Sequence, residues 1–201
     1  MDFPDNRLIK RPMVDLRYEI EIQARPADIF PWIKQVGYHR GGWYIDTWWD
    51  EFEQKFFWPA LVPKDARGTY QPAANQILPQ YQGLSVGDIV PDGPPDSAYY
   101  EVIGLEENRL LLLYATTHFN YVAPQFVYRT RYAPKGPFCW AFMLDEIDEK
   151  VTRLVSWWRA EGYPRAGFYL LKPFLVFVDS AHQRQILKGI KNRVEKTQSQ
   201  E

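Results

Sequence analysis

Two histidines are the side chains of this sequence best suited to move a proton near neutral pH. His182 lies on the apolar stripe of a C-terminal helical pattern, and His118 ends a strand pattern. An imidazole titrates near neutral pH, so either ring could act as a general acid or base, and His182 is the preferred candidate because its stripe must face the sheet. The alternative for both is a structural histidine, hydrogen-bonded in the core, because the sequence ties no acid or nucleophile to either position.

Large apolar side chains alternate along two strand patterns joined near Asp148, and they predict the wall of a pocket. We expect Trp140, Phe142 and Trp158 to point inward, because Arg153 and Arg159 require the opposite, wet face. A hydroxyl on that inward face, at Ser156, then needs a partner from protein, water or ligand. The residues predicted to line a ligand pocket are Trp140, Phe142, Ser156, Trp158, Phe174, Val178 and His182. Ordinary core packing is the alternative for all of them.

The segment YHRGGWYIDTWWD at 38–50 concentrates polar and aromatic side chains around two glycines that allow a sharp turn. We predict that it forms the mouth of the pocket. The residues assigned to that mouth are His39, Arg40, Trp43, Tyr44 and Asp46. The alternative is a structural clasp in which Arg40 pairs with Asp46 or Asp50.

No spacing in the sequence indicates a bound metal or a nucleotide. Three scattered histidines and one cysteine form no HExxH or CxxC pattern, so we predict no metal site. GxxxxGK[ST], GxGxxG after a strand and GxSxG are also missing from the sequence, and we predict no cofactor.

The elements that must position these side chains follow from hydrophobic periodicity and from turn residues. They are a strand at 14–24, a short helix from Pro26, strands at 86–91, 98–106 and 109–118, a hairpin at 137–161 and a helix at about 165–196. The short turns predict antiparallel pairing. This order predicts an α+β fold in which the last helix covers the apolar face of the sheet.

Several segments, in order along the chain, carry a resemblance to a known family. They are PADIFPWIKQVGYHRGGWY at 26–44, ILPQYQGLSVGDIVPDGP at 77–94, YEVIGLEENRLLLL at 100–113, CWAFMLDEID at 139–148, TRLVSWWRAE at 152–161 and ILKGIKNRVE at 186–195. In these segments the chain resembles the SRPBCC superfamily of START-like and polyketide cyclase-like proteins. The resemblance implies a helix-grip fold, a curved antiparallel sheet wrapped around a long C-terminal helix with a central cavity. It implies no single reaction, because members bind, carry, sense, cyclise or dehydrate their ligands.

Length, charge and cysteine content narrow the class of protein. We expect the 201 residues to form a single SRPBCC-like domain over 1–201, with its core at about 14–196 and flexible ends. A net charge of −1 provides no general attraction to nucleic acid, and we expect no nucleic-acid partner. The sequence has one cysteine, its N-terminus lacks the apolar core of a signal peptide, and no stretch reaches ~18 apolar residues. We therefore predict a cytoplasmic protein without a transmembrane segment.

These observations together predict a protein that binds a small apolar molecule, lipid-like or polyketide-like, in an internal cavity. One alternative is an enzyme of the cyclase or dehydratase type acting on such a ligand. Another is a protein-interaction module whose contact surface is the aromatic segment 118–132. Two segments exceed the shorter relatives, 51–72 and 118–132, and transient membrane contact through 166–178 is a further alternative to a buried helix face. The sequence leaves the oligomeric state open.

Overall fold

A computed structural model describes residues 2–5, 7–45, 71–93, 98–121 and 135–199, without the side chains of residues 120, 121, 171 and 174. Its strands are β1 (Val14–Ile22), β2 (Ile89–Pro91), β3 (Tyr99–Glu106), β4 (Leu110–Ala115), β5 (Phe138–Asp148) and β6 (Val151–Ala160). Its helices are α1 (Pro26–Lys34) and α2 (Arg165–Gln198), with short 3₁₀ turns at Pro79–Tyr81 and His118–Tyr121.

The six strands form one curved antiparallel sheet in the order β1-β6-β5-β4-β3-β2. Short connections build most of it: β5 and β6 join through Glu149 and Lys150, and Asn108 adopts a positive φ of 58° in the turn between β3 and β4. The edge strand β1 pairs along its whole length with β6, so a strand near the start of the chain lies beside one that directly precedes α2. The α+β architecture expected from the sequence is confirmed.

Strand alternation places one apolar face of the sheet inward. Along β1, buried or half-buried residues alternate with exposed ones from Val14 to Ile22, as a strand with one wet face requires. The predicted inward residues of β5 and β6 belong to the main core: Trp140, Phe142, Leu144, Leu154, Trp158 and Ala160. That assignment of faces is therefore confirmed.

Helix α2 lies over the concave face and is longer than the sequence indicated. The sequence predicts a helix to about residue 196, and the helix continues to Gln198. Thr197 Oγ1 donates to the Arg193 carbonyl at 2.9 Å, and Val194 is buried, so packing and side-chain hydrogen bonds hold the last turns. Pro173 lies inside the helix.

A second, smaller core lies on the convex face of the sheet. The N-terminal segment packs Phe3 and Ile9 against Cys139, Val155 and their neighbours. Phe3 meets the Trp157 ring edge-on at 5.4 Å between centroids. The sheet is thus covered on both faces, by α2 on one and by the start of the chain on the other.

Candidate functional site

Trp158 and Asp179 meet between the inward face of β6 and the middle of α2. The Trp158 indole Nε1 donates a hydrogen bond to Asp179 Oδ2. Trp158 is 3% exposed, and alternation along β6 fixes its inward direction. A carboxylate therefore reaches the apolar interior of the domain.

A chain of hydrogen bonds connects this carboxylate to two more core positions. Trp140 Nε1 donates to Ser156 Oγ at 2.8 Å, and the Ser156 hydroxyl donates to Gln183 Oε1. Gln183 Nε2 lies 3.4 Å from Asp179 Oδ1. We call these five side chains, Trp140, Ser156, Trp158, Asp179 and Gln183, the polar cluster. Ser156 has the partners that an inward hydroxyl was expected to need.

The direction of donation in the polar cluster makes Asp179 its terminal acceptor. An indole N–H can only donate, so Ser156 must accept from Trp140 and pass its own proton toward Gln183. The Gln183 amide then turns its N–H groups toward Asp179. An ionised carboxylate has about four lone-pair sites, and this cluster uses two of them.

Burial sets the protonation equilibrium of Asp179. Desolvation raises its pKa from 3.8 to about 6, while hydrogen bonds from Gln183 and Trp158 and the charges of His118 and His182 oppose the rise. The residue as a whole is half-buried. A carboxylate whose pKa is raised by desolvation beside specific hydrogen-bond partners is a candidate functional group.

Aromatic rings surround the polar cluster. Trp43 stacks on Trp140 with centroids 5.2 Å apart and planes at 19°, and Phe142 lies 4.7 Å from Trp140. Phe138 stacks on Trp158 at 5.0 Å. These rings make the surroundings of Asp179 apolar apart from its own hydrogen-bond partners.

The two histidines singled out in the sequence differ in their surroundings. His118 Nδ1 lies 2.7 Å from the Tyr100 hydroxyl and 2.8 Å from Asp92 Oδ2, and its ring packs 4.1 Å from the Phe138 ring. His182 is half-buried on α2, three residues after Asp179 and thus on the same side of the helix. Charges on both rings act on Asp179. The acid/base role of His182 stays a prediction.

Tyr44, assigned to the pocket mouth, lies fully buried in the main core. Its hydroxyl donates to the Trp32 carbonyl at 2.9 Å, and the Arg193 guanidinium lies 4.9 Å from its ring centroid. Burial raises the pKa of this phenol. A side chain at Gly189 would place its Cβ 1.9 Å from the Tyr44 carbonyl oxygen, so α2 passes directly against this segment.

The other residues predicted to form the pocket mouth differ in their contacts. Arg40 donates to the carbonyls of Val36 and Lys34 at 3.0 and 2.9 Å, which satisfies the end of α1, and burial lowers its pKa. Its predicted partners, Asp46 and Asp50, lie outside the described residues. A pocket of about 40 Å³ lies beside this segment, lined by Tyr38, His39, Gly42, Trp43, Tyr44, Ile45, Gln71 and Ala73. That volume suits a water molecule rather than a metabolite.

Two further residues predicted to line the pocket belong to α2. Val178 is half-buried on α2, whereas the side chain of Phe174 lies outside the described residues. Most of the segments 51–72 and 118–132 lies outside them too. In the stretch 166–178, Leu170 and Phe177 are 84% and 76% exposed. The ligand pocket as a whole stays a prediction.

Sequence reasoning missed Asp179 and Gln183, the two cluster residues that α2 supplies. A signal was present, since both fall on the apolar stripe of that helix, four and eight residues after Leu175. A carboxylate and an amide interrupting an apolar stripe mark a position where the helix presents polar groups to the core.

Searches of the described residues for metal sites and membrane helices gave negative results. No group of three or more histidine, cysteine, aspartate or glutamate side chains in that part of the chain could hold a metal ion. No helix there combines the length and the hydropathy needed to cross a bilayer.

Comparison with known proteins places the chain by its fold. No family model matches the sequence, and no curated protein matches it. The di-domain ARO/CYC protein StfQ of the steffimycin biosynthetic pathway aligns with a TM-score of 0.50 and 12% identity, over 92% of this chain and 52% of StfQ. The chain therefore spans about half the length of StfQ.

Two further solved structures align less well. Norcoclaurine synthase of Thalictrum flavum gives a TM-score of 0.46 at 14% identity over 92% of this chain and 96% of its own. The Polyketide_cyc-like protein Cgl2372 of Corynebacterium glutamicum gives 0.36 at 16% identity, over 90% and 87%. Identities this low leave activity open. The chain has the α+β helix-grip fold, with a six-stranded curved sheet against its long C-terminal helix.

Proposed function

We propose that this chain binds a small, largely apolar molecule between the concave face of its sheet and α2. The observation that carries the proposal is Asp179, a half-buried residue whose carboxylate ends a hydrogen-bonded cluster inside an apolar wall. A buried carboxylate destabilises the fold relative to an apolar side chain of similar size, so its presence at the core favours a role in binding or catalysis.

The surroundings of the polar cluster suggest the character of the ligand. Trp43, Phe142 and Leu175 pack around it, so most of the surface offered to a bound molecule is apolar. Ligand sites commonly combine such a wall with a few placed polar groups. StfQ supports this proposal at the level of the fold alone.

Native mass spectrometry of protein purified from its own host tests the proposal directly. We expect a retained small-molecule mass that disappears on denaturation. Ser156→Trp should abolish this mass, because it adds a ring at the centre of the proposed site, where Ser156 is fully buried.

Glu19→Trp is the matched control, because Glu19 is exposed on the neighbouring strand and pairs with Val155 in the register. This variant adds the same ring away from the concave face and should keep the mass. Equal retention by folded Ser156→Trp protein, or no bound mass together with no binding of an added apolar probe, would contradict the proposal.

An enzyme of the cyclase or dehydratase type is the second candidate function. The observation that favours it is the pKa of about 6 at Asp179, close to two histidines whose charges act on it. Once a ligand is known, His182→Gln should lower turnover by ~10²- to 10⁴-fold with little change in binding. A ligand that the wild-type protein returns chemically unchanged would leave binding as the function.

A further inference from the structure

We propose that Asp179 is the ligand-recognition residue of this site, and that the ligand class is a largely apolar molecule carrying a hydroxyl group that donates to the Asp179 carboxylate. This inference rests on the proposed function, and it adds the chemistry by which the site selects its ligand.

The first argument is the hydrogen-bond polarity of the polar cluster. Trp140 donates to Ser156, Ser156 to Gln183, and Gln183 and Trp158 donate to Asp179, so the carboxylate is the end of this chain of hydrogen bonds. With two of its four lone-pair sites used, Asp179 can accept from a further donor. A ligand carbonyl would find no donor at this carboxylate when it is ionised, whereas a hydroxyl would find an acceptor.

The second argument concerns the histidines that could compete for the same role. His118 directs its Nδ1 to Asp92 and Tyr100, so that nitrogen is engaged on the side of β3. The charge of His182, three residues after Asp179 on the same side of α2, lowers the pKa of that carboxylate and so favours its ionised, accepting form. The carboxylate is therefore the group where the cluster's hydrogen bonds converge.

The third argument is the energetic asymmetry of the site. Ionising Asp179 in apolar surroundings is unfavourable, as its raised pKa of about 6 records. A ligand hydroxyl would stabilise the ionised form and recover part of that unfavourable free energy. Hydrogen bonds to charged groups are stronger than neutral ones, so the hydroxyl should contribute strongly to affinity.

A pair of aromatic probes tests the inference, 2-naphthol with a hydroxyl donor and 2-methoxynaphthalene without one. Binding is followed by quenching of tryptophan emission. We expect wild-type protein to bind 2-naphthol about tenfold or more tightly, the ratio typical of a hydrogen bond to a charged acceptor. In Asp179→Asn the ratio should fall to about twofold, because the neutral amide accepts more weakly.

Asp15→Asn is the matched control, because Asp15 also accepts a hydrogen bond from a tryptophan indole, at 2.6 Å, but on the convex face. It should keep the wild-type preference. Equal binding of both probes by wild-type protein, or an unchanged preference in Asp179→Asn, would overturn the inference while leaving an apolar site in place. Failure of both probes to bind would overturn the proposed function and this inference with it.

A pH series on wild-type protein keeps the test valid even if Asp179→Asn does not fold. The preference for 2-naphthol should be lost as the pH falls through about 6, because protonation removes the charged acceptor. Phenols titrate near about pH 10, so the probe stays neutral. The charges of His118 and His182 also act on the Asp179 carboxylate. A preference of wild-type protein that stays unchanged as the pH falls through about 6 would overturn the inference. Where Asp179→Asn folds, a pH dependence that persists in it would assign the effect to a histidine and overturn the inference as well.

Discussion

Two neighbouring tryptophans of β6 make the same contact with aspartate on opposite faces of the sheet. Trp158 donates to Asp179 on the concave face, and Trp157 donates to Asp15 on the convex face at 2.6 Å. Asp15 also pairs with Arg159 at 2.9 Å, and its side chain is 38% exposed. Within the described residues, Asp179 has hydrogen bonds from Trp158 and Gln183, and the Trp158 ring stacks on Phe138.

The difference between these pairs shows that surroundings, rather than the contact, decide what a carboxylate does. Asp15 is partly exposed and ion-paired with Arg159, so its pair serves as a structural link between β1 and β6. Desolvation favours the protonated form of Asp179 and brings its titration near the physiological range. We therefore propose the concave pair, and not the convex one, as the pair that recognises a ligand or exchanges a proton.

Removing each indole should give the largest contrast between the two faces. Trp158→Ala should lower the free energy of unfolding by ~3 to 5 kcal/mol, because it leaves a cavity in the core and deprives Asp179 of a donor. Trp157→Ala should cost only ~1 to 2 kcal/mol, because that ring is partly exposed. Urea unfolding measures both, and equal losses would show that the two faces are energetically alike.

Neutralising Asp179 should raise the free energy of unfolding, whereas neutralising Asp15 should lower it. The folded-state pKa of Asp179, about 6, lies above the unfolded value of about 3.9, so the folded state binds more protons between these pH values. Stability therefore falls as the pH rises through this window, by up to about 3 kcal/mol. Asp179→Asn should remove that loss and raise the free energy of unfolding at about pH 7.5 by ~1 to 2 kcal/mol.

Asp15→Asn should instead lower the free energy of unfolding by ~0.5 to 1 kcal/mol, because it removes the charge facing Arg159. Urea unfolding at several pH values between about 4 and 8 gives both numbers. A loss of stability at about pH 7.5 in Asp179→Asn would mean that the carboxylate stabilises the fold.

Added salt should change the free energies of unfolding of the two aspartate variants differently, and this difference should be the smallest of the three. The Debye length shrinks from about 8 Å at physiological ionic strength to about 3 Å at 1 M, so an exposed pair is screened and a buried group is not. The loss caused by Asp15→Asn should fall by about half in 1 M NaCl, a change of a few tenths of a kcal/mol. The gain caused by Asp179→Asn should persist. Equal salt dependence of the two variants would place both carboxylates in contact with solvent.

Local patterns predicted much of the scaffold. Alternation identified the inward faces of β1, β5 and β6, and the need of Ser156 for a partner followed from its place on an inward face. The strand predicted at 86–91 begins only at Ile89, because Ser85 and Asp88 form a turn with a 2.8 Å hydrogen bond. Boundaries of this kind depend on single hydrogen bonds, which hydrophobic periodicity does not encode.

The site itself was predicted less completely than the scaffold. His182 and Asp179 lie on the same helical stripe, and periodicity alone cannot rank them, because both face the sheet. The position of Tyr44 also depended on a distant residue, Gly189, where the absence of a side chain lets α2 approach.

The sequence by itself determined most of the described elements, the antiparallel pairing of strands joined by short turns and the faces of β5 and β6, because each follows from local spacing. The pairing of β1 with β6 joins distant segments and was decided by the tertiary structure. Only the tertiary structure decided that Asp179 meets Trp158 and that Phe3 covers Trp157. Those contacts join residues far apart in the chain, and they depend on the rotation of α2 and on the path of the N-terminal segment. Desolvation, which raises the pKa of Asp179, exists only once these surfaces have packed together.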